Sequence, residues 1–240
     1  MILRALAVLL FWVGGVQAEP LRIGTESDFR PYIFLQDGQR RGYDSDLMDL
    51  ICTSGGFSCQ WIEAEFDQLF TGVAEERFDI AIGGIGHTPD RDRLVDWTRP
   101  YRVLSSGTSV FAGLKDDLDV TTLRIGVQGE TVQEQVLRDN GYKVALYPSH
   151  QAMLQALFAG EITVIFATPA YFERLVEAGE TRLFNLGALD YPDDGPQIAV
   201  AKSKPQLRHK LDQIIERLRA AGDLTLIGAK WFPETKASNI

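Results

Sequence analysis

Metal-ligating side chains are scarce. The 240 residues hold two cysteines, Cys52 and Cys59, and three histidines, His87, His150 and His209. The histidines are scattered and none lies near the cysteines, so no metal is expected. Positive charge is short as well: 24 Lys and Arg stand against 33 Asp and Glu, for a formal net charge of −9. That balance argues against nucleic acid and against anionic membrane surfaces as partners. It leaves room for a small anionic ligand, because local field outweighs net charge. No Ser-His-Asp or Cys-His arrangement suggests hydrolysis. The run Gly83-Gly-Ile-Gly86 lacks the third glycine of a dinucleotide loop, with Pro89 in its place, so no nucleotide cofactor is expected.

What is present begins with a leader. Met1 to Ala18 carries one early positive charge, Arg4, then an apolar stretch from Ala5 to Val13, then Val16-Gln-Ala18. The apolar stretch is too short to span a bilayer, and the pattern reads as a secretory signal covering residues 1–18. Glu19 rather than a cysteine stands directly after Ala18, so no lipid anchor is expected. The mature chain is expected to be a soluble, exported protein of the periplasm, starting near Glu19 and monomeric. In an oxidising compartment the simplest reading of Cys52 and Cys59, with six residues between them, is one disulfide. A metal pair is the alternative.

Hydrophobic periodicity alternates between strand and helix along the chain. Leu21–Gly24, Gln60–Ile62, Asp79–Ile82 and the long segment Arg102–Phe111 read as strands; Asp46–Cys52 and Asp67–Glu76 read as helices. A second block repeats the alternation from Leu123. Thr131 opens a helix with Glu134 at capping-box spacing, and Pro169–Glu177 and Gln206–Ala220 read as further helices. Leu21-Arg-Ile-Gly24 and Leu123-Arg-Ile-Gly126 open the two blocks alike. The expectation is an α/β protein of two lobes, each a mostly parallel sheet flanked by helices, joined by a two-strand hinge. Lobe one takes 19–110 and 196–240, and lobe two takes 111–195. Ligands on such sheets sit beyond the carboxyl ends of strands, so the loops after Gly24, Ile82, Val127 and Phe166 are expected around one cleft.

The segment Phe78-Asp-Ile-Ala-Ile-Gly-Gly-Ile-Gly-His-Thr-Pro-Asp-Arg91 reads as a buried strand, a glycine turn and a helix start. Thr88 suits the N-cap and Pro89 the first helical position. Arg91 then sits in a first turn whose free amides already favour an anion, and its guanidinium adds a planar fork matched to a carboxylate. The competing reading is a surface pair with Asp90, Asp92 or Asp96.

Taken in order, several motifs resemble the bacterial periplasmic solute-binding proteins of family 3, the polar amino-acid receptors of ABC importers. They are Leu21-Arg-Ile-Gly-Thr-Glu-Ser-Asp-Phe-Arg-Pro-Tyr32, Gly42-Tyr-Asp-Ser-Asp-Leu47, Phe78 to Arg91, Val95-Asp-Trp-Thr-Arg-Pro-Tyr101, Ile125-Gly-Val-Gln-Gly-Glu-Thr131 and Lys230-Trp-Phe232. The resemblance spans essentially the whole mature chain and implies a type II periplasmic-binding fold. It also implies a binding protein rather than an enzyme, with a membrane permease as partner. The cysteine spacing is similar to a disulfide of the basic amino-acid receptors.

The resemblance assigns roles residue by residue. Arg91 falls where an arginine grips the ligand's α-carboxylate. Gly84 falls where a carbonyl accepts from the α-ammonium, and Thr131 where lobe two completes the carboxylate grip. Phe29 and Phe66 fall at the apolar clamp, although either also suits a core. Glu26 falls near an acid that meets cationic side chains in some members, although it and Glu130 also suit solvated loops. Two positions depart from the pattern. Thr168 stands where an aspartate commonly pairs with the ammonium, and Gly86 where a Ser or Thr hydroxyl is usual. Carboxylate recognition is therefore expected to persist and ammonium recognition to weaken. His87 either donates to such a ligand or is a solvated loop residue. Two further functions stay open: a dehydratase-like enzyme on this fold using Glu26 or Glu130 as acid, and a sensory or assembly protein that feeds no transporter.

Overall fold

The computed structural model describes residues 19–104 and 106–232. The expected secretory signal lies outside them. The chain forms β1 (Leu21–Thr25), β2 (Asp28–Phe29), β3 (Ile33–Gln36), β4 (Gln39–Arg41), α1 (Tyr43–Gly55), β5 (Cys59–Glu63), α2 (Leu69–Ala74), β6 (Ile80–Ala81), α3 (Pro89–Asp92), β7 (Val95–Trp97) and β8 (Gly107–Gly113). It continues through β9 (Arg124–Gln128), α4 (Val132–Asp139), β10 (Lys143–Tyr147), α5 (His150–Ala159), β11 (Val164–Ala167), α6 (Pro169–Glu177), β12 (Phe184–Tyr191), β13 (Ala199–Ala201), α7 (Pro205–Ala221) and α8 (Asp223–Trp231).

Two five-stranded sheets share one plan. Their orders are β5-β1-β6-β13-β7 and β10-β9-β11-β8-β12. In the first, β5, β1 and β6 are parallel, and β13 runs against both β6 and β7. In the second, β10, β9 and β11 are parallel, and β8 runs against β11 and β12. Four strands of each sheet therefore point one way. The matching openings at Leu21 and Leu123 feed β1 and β9, which hold the same place in their sheets.

Helices cover both faces of each sheet, and apolar side chains lock them there. On one face of the first sheet, Ile23, Ile80 and Val200 pack with Leu47, Ile51, Leu211, Ile214 and Leu218 of α1 and α7. On the other, Leu69, Phe70 and Val73 of α2 pack with Phe78, Val95 and Ala199. Around the second sheet, Met153, Leu157 and Phe172 fill one side, and Phe111, Leu137 and Phe166 the other. Burying each such large side chain contributes roughly 1.5–3 kcal/mol before entropy is charged. Cys52 of α1 and Cys59 of β5 form a disulfide.

Several elements differ from the sequence reading. The helix expected over Asp67–Glu76 is a 3₁₀ turn, Phe66–Gln68, followed by α2. Helix α1 starts at Tyr43, three residues before the expected start, with Gly42 as N-cap at φ 122°. The strand expected over Arg102–Phe111 begins only at Gly107, because the stretch before it is the crossing from the first sheet to the second. A division at 110 therefore falls inside β8, which pairs within the second sheet throughout. The small sheet β2-β3-β4 was not read from the pattern. Its hairpin turns at Asp37-Gly38, both at positive φ, which is the Asp-Gly signature of a two-residue turn.

The chain crosses between the sheets twice, and the crossings run side by side. Tyr101 N donates to Pro196 O at 3.0 Å, and Leu104 N to Asp194 O at 3.3 Å. No helix among the described residues is long and apolar enough to cross a membrane.

Candidate ligand-binding site

A cavity of about 380 Å³ opens between the two sheets. Its walls include all eight residues singled out from the sequence: Glu26, Phe29, Phe66, Gly84, Gly86, Arg91, Thr131 and Thr168. Seven of them follow the carboxyl ends of β1, β6, β9 and β11, the ends named from the alternating pattern, and Phe66 follows β5.

Arg91 sits in α3, behind the N-cap of Thr88, whose Oγ1 accepts from Arg91 N at 3.3 Å. Pro89 holds the first helical position. The residue as a whole is 95 % shielded from solvent. One terminal nitrogen donates to the Gly86 carbonyl; the other donates to the Glu130 carbonyl, across the cavity, at 2.6 Å. Nε has no partner. Beneath the guanidinium lie the rings of Phe70, 4.1 Å from its carbon, and Phe66, 5.2 Å away. The surface pairing considered for Arg91 does not form. Asp90 pairs with Arg93, and Asp92 accepts from Trp97. Burial without a carboxylate partner lowers the Arg91 pKa to about 9. A buried cation in that condition gains strongly from an incoming anion.

Gly84 lies beside it at φ +64°. A Cβ there would come within 2.7 Å of Tyr32 and 2.9 Å of Phe29, so the position admits only glycine without rearrangement. Its amide donates to Asp44 Oδ2 at 2.7 Å. Asp44 is wholly buried in the first turn of α1, and desolvation raises its pKa to about 7.

Thr131 caps α4, accepting from Glu134 N at 3.1 Å, while its own hydroxyl donates to Gln128 O at 2.8 Å. The Glu134 carboxylate accepts from the amide of Glu130 rather than of Thr131, one residue off the expected capping box. Thr168 is the N-cap of α6, and its Oγ1 is buried without a partner. Glu26 makes no ion pair among the described residues. Desolvation, then Asp28 and Glu65, raise its pKa to about 7 against the opposing effect of Arg174.

The aromatic wall is longer than the sequence suggested. Tyr32 stacks on Phe29 with ring centroids 5.7 Å apart and Phe29 on His150 at 6.1 Å, and His150 lies tilted against Tyr171 at 4.6 Å. This column runs from the first sheet's loops to the helices of the second. Burial and then Arg174 lower the His150 pKa to about 4, so the imidazole is neutral at physiological pH. An ion pair between Asp28 and Arg174 bridges the same gap. Tyr32, Arg102, Gln133, His150 and Glu173 also line the cavity and were not singled out. Only Tyr32 carried a hint, in the aromatic-Pro turn. His87 is exposed and faces Asp92 at 3.7 Å, outside the cavity lining, which matches the solvated-loop reading. Glu130 contributes its carbonyl to Arg91 and keeps its side chain exposed.

Comparison with known proteins gives one consistent result. The family of bacterial extracellular solute-binding proteins, family 3, matches residues 21–234. The L-arginine-binding protein of Pseudomonas aeruginosa is 30% identical over 232 residues, covering 89% of this chain and 88% of its own. The ABC transporter arginine-binding protein 1 of Escherichia coli is 26% identical, covering 95% and 98%. Among solved structures, a periplasmic His/Glu/Gln/Arg/opine family-binding protein from Silicibacter pomeroyi, in complex with lysine, superposes with a TM-score of 0.80 at 26% identity, over 91% of this chain and 100% of its own.

Proposed function

The chain belongs to the bacterial extracellular solute-binding proteins of family 3, and from that premise we propose that it captures an amino acid or related small carboxylate between its two sheets and delivers it to an ABC importer. The observation that carries this reading is Arg91. Its guanidinium is buried in the cavity wall, has no carboxylate partner among the described residues, and bonds to carbonyls on both sides of the gap. A ligand carboxylate there would receive Nε and offset the desolvation cost of the cation. The Thr131 hydroxyl proton is engaged with Gln128, so lobe two would contribute its backbone amide and the positive end of α4. Phe29 and Phe66 would clamp the ligand's body, with Tyr32 and His150 extending that wall.

In this reading the sheets are the cores of two lobes, the first roughly 19–104 with 196–232 and the second roughly 107–195, so that β8 belongs wholly to the second. The paired crossings form the hinge on which they close. The compartment is the periplasm, and the partner is a membrane permease. A catalytic role on the same fold would rest on Glu26, the cavity acid whose pKa lies near neutrality. The relatives named above are binding proteins, which favours capture without chemistry.

Native mass spectrometry of the purified protein, followed by a thermal-shift screen of amino acids and carboxylates, tests the proposal. Recovery of one unchanged solute and a matching rise in melting temperature are expected. A chemically altered solute would transfer the argument to an enzyme, and no response to any small carboxylate would remove it.

A further inference from the structure

We propose, resting on the reading of Arg91 as the carboxylate receptor, that Glu134 is its positioning residue: from outside the cavity, Glu134 holds Glu130 in the left-handed backbone conformation that aims the Glu130 carbonyl across the gap at the Arg91 guanidinium.

The contacts form one chain. Arg138 Nε donates to Glu134 Oε1 at 2.7 Å, and Glu130 N donates to Glu134 Oε2 at 2.7 Å. Glu130 O in turn accepts from one terminal nitrogen of Arg91 at 2.6 Å, and the other donates to Gly86 O. The two terminal nitrogens are thereby anchored on opposite sides of the gap. Two anchors fix the plane of the guanidinium, and with it the direction of Nε. Glu134 itself does not line the cavity, so it acts on Arg91 only through Glu130.

The middle link needs support. Glu130 sits at φ +61°. That region is disfavoured for residues other than glycine, and glutamate lacks the short polar side chain that lets Asn or Asp enter it. Such a residue persists only where its surroundings over-determine it. Here they act on both sides. Glu134 Oε2 holds the amide that precedes the Glu130 Cα. Beyond it, the Thr131 hydroxyl donates to Gln128 O at 2.8 Å and accepts from Glu134 N at 3.1 Å, which pins the next residue. The Glu134 side chain is 15% exposed, so little water competes for its oxygens. Capping of α4 is the competing role, since a carboxylate in the first turn also suits the helix end. The two roles part over glycine at position 130. Glycine adds nothing to the cap, but it enters the left-handed region unaided.

The test reads Arg91 directly. The exported chain would carry nitrogen-isotope label in its arginines and be refolded after dialysis in denaturant, disulfide intact, to remove co-purifying solute. NMR would follow the guanidinium signals, with Arg91→Lys identifying those of Arg91. A guanidinium anchored at both ends gives two distinct terminal-nitrogen signals; one free to turn about Nε–Cζ gives a single averaged signal. Two are expected for the wild type and one for Glu134→Ala. Two are expected again when Glu134→Ala is combined with Glu130→Gly. Glu130→Pro keeps Glu134 but removes the amide it holds and fixes φ at about −65°, so one averaged signal is expected there. That variant carries the test where Glu134→Ala does not fold. A single signal in the wild type would overturn the proposal, as would two in Glu134→Ala or in Glu130→Pro. A folded Glu134→Ala, Glu130→Gly protein that stays averaged would reduce Glu134 to a helix cap and overturn it too. These outcomes leave solute capture standing. That reading falls only to a solute screen in which no small carboxylate responds.

Discussion

Gly84 N and Asp44 Oδ2 are 2.7 Å apart, and this bond ties the glycine turn of the cavity to the buried first turn of α1. The other Asp44 oxygen and the Tyr101 hydroxyl are buried together, and the hydroxyl favours the ionised carboxyl, though less than burial opposes it. The carboxyl thus holds the turn at the expense of its own solvation. Burial raises its pKa to about 7, whereas in the unfolded chain it ionises near 4, the ordinary value of about 3.9. Between those values the native state holds the extra proton. Its contribution to stability therefore falls as pH rises from about 4 to about 7 and is constant above. Asp44→Asn keeps an acceptor for Gly84 and removes the titration. Relative to this variant, the wild type is expected to lose about 1–3 kcal/mol between pH 4.5 and 7.5. Urea midpoints at the two pH values measure it, and parallel pH profiles would contradict it.

Arg91→Ala is expected to weaken ligand binding by about 2–5 kcal/mol, the range for truncating one side of a buried charge pair. Arg91→Lys should also bind at least about tenfold more weakly, because an ammonium cannot reproduce a fork that donates to Gly86, Glu130 and a carboxylate together. Calorimetry with the solute found by screening decides both. Full affinity in Arg91→Lys would show that charge alone, not the fork, matters.

Asp28 and Arg174 meet across the gap between the sheets, with the aspartate side chain 77% exposed. Exposure limits such a pair to about 0.2–1 kcal/mol. A double-mutant cycle on ligand affinity with Asp28→Asn and Arg174→Gln should return a coupling in that range and should shrink in high salt. A coupling of zero at low ionic strength would mean the pair does not favour the closed arrangement.

The Cys52–Cys59 bridge closes a short loop between α1 and β5. Loop entropy assigns it roughly 2–3 kcal/mol. Replacing both cysteines with serine is expected to lower the unfolding free energy from urea titration by that amount and to leave ligand affinity unchanged, since neither residue lines the cavity. Thiol titration of the unreduced, denatured protein should find no free thiol.

Legibility followed the range of the interactions. The Arg91 turn could be read because Thr88, Pro89 and Arg91 are neighbours and their capping chemistry is local. Thr131 could be read for the same reason. Asp44 lay ahead of the helix expected from Asp46, in a stretch with no local sign of burial; only packing by Tyr101 and Gly84 reveals it as buried. His150 and Arg174 escaped because their partners, Phe29 and Asp28, lie in the other half of the chain. The edge strand β12 is largely exposed and bulged between Asn185 and Ala188, so it carries no clean alternation to read. The β3–β4 hairpin, by contrast, had a readable Asp-Gly turn between short strands.

Strand β13 also fixes an order of assembly. It lies between β6 and β7 in the first sheet, and β7 has no other neighbour there. Ile198 N donates to the Thr98 hydroxyl across 100 residues of chain. As the polypeptide emerges from the ribosome, β7 has no partner strand until the whole second sheet has been produced. The second sheet is one uninterrupted stretch of chain and can form in the meantime. Folding from the N-terminus would therefore finish the later half before the earlier one. A permuted chain that joins the two ends and opens within the second sheet would reverse that sequence of events without changing a single contact of the first.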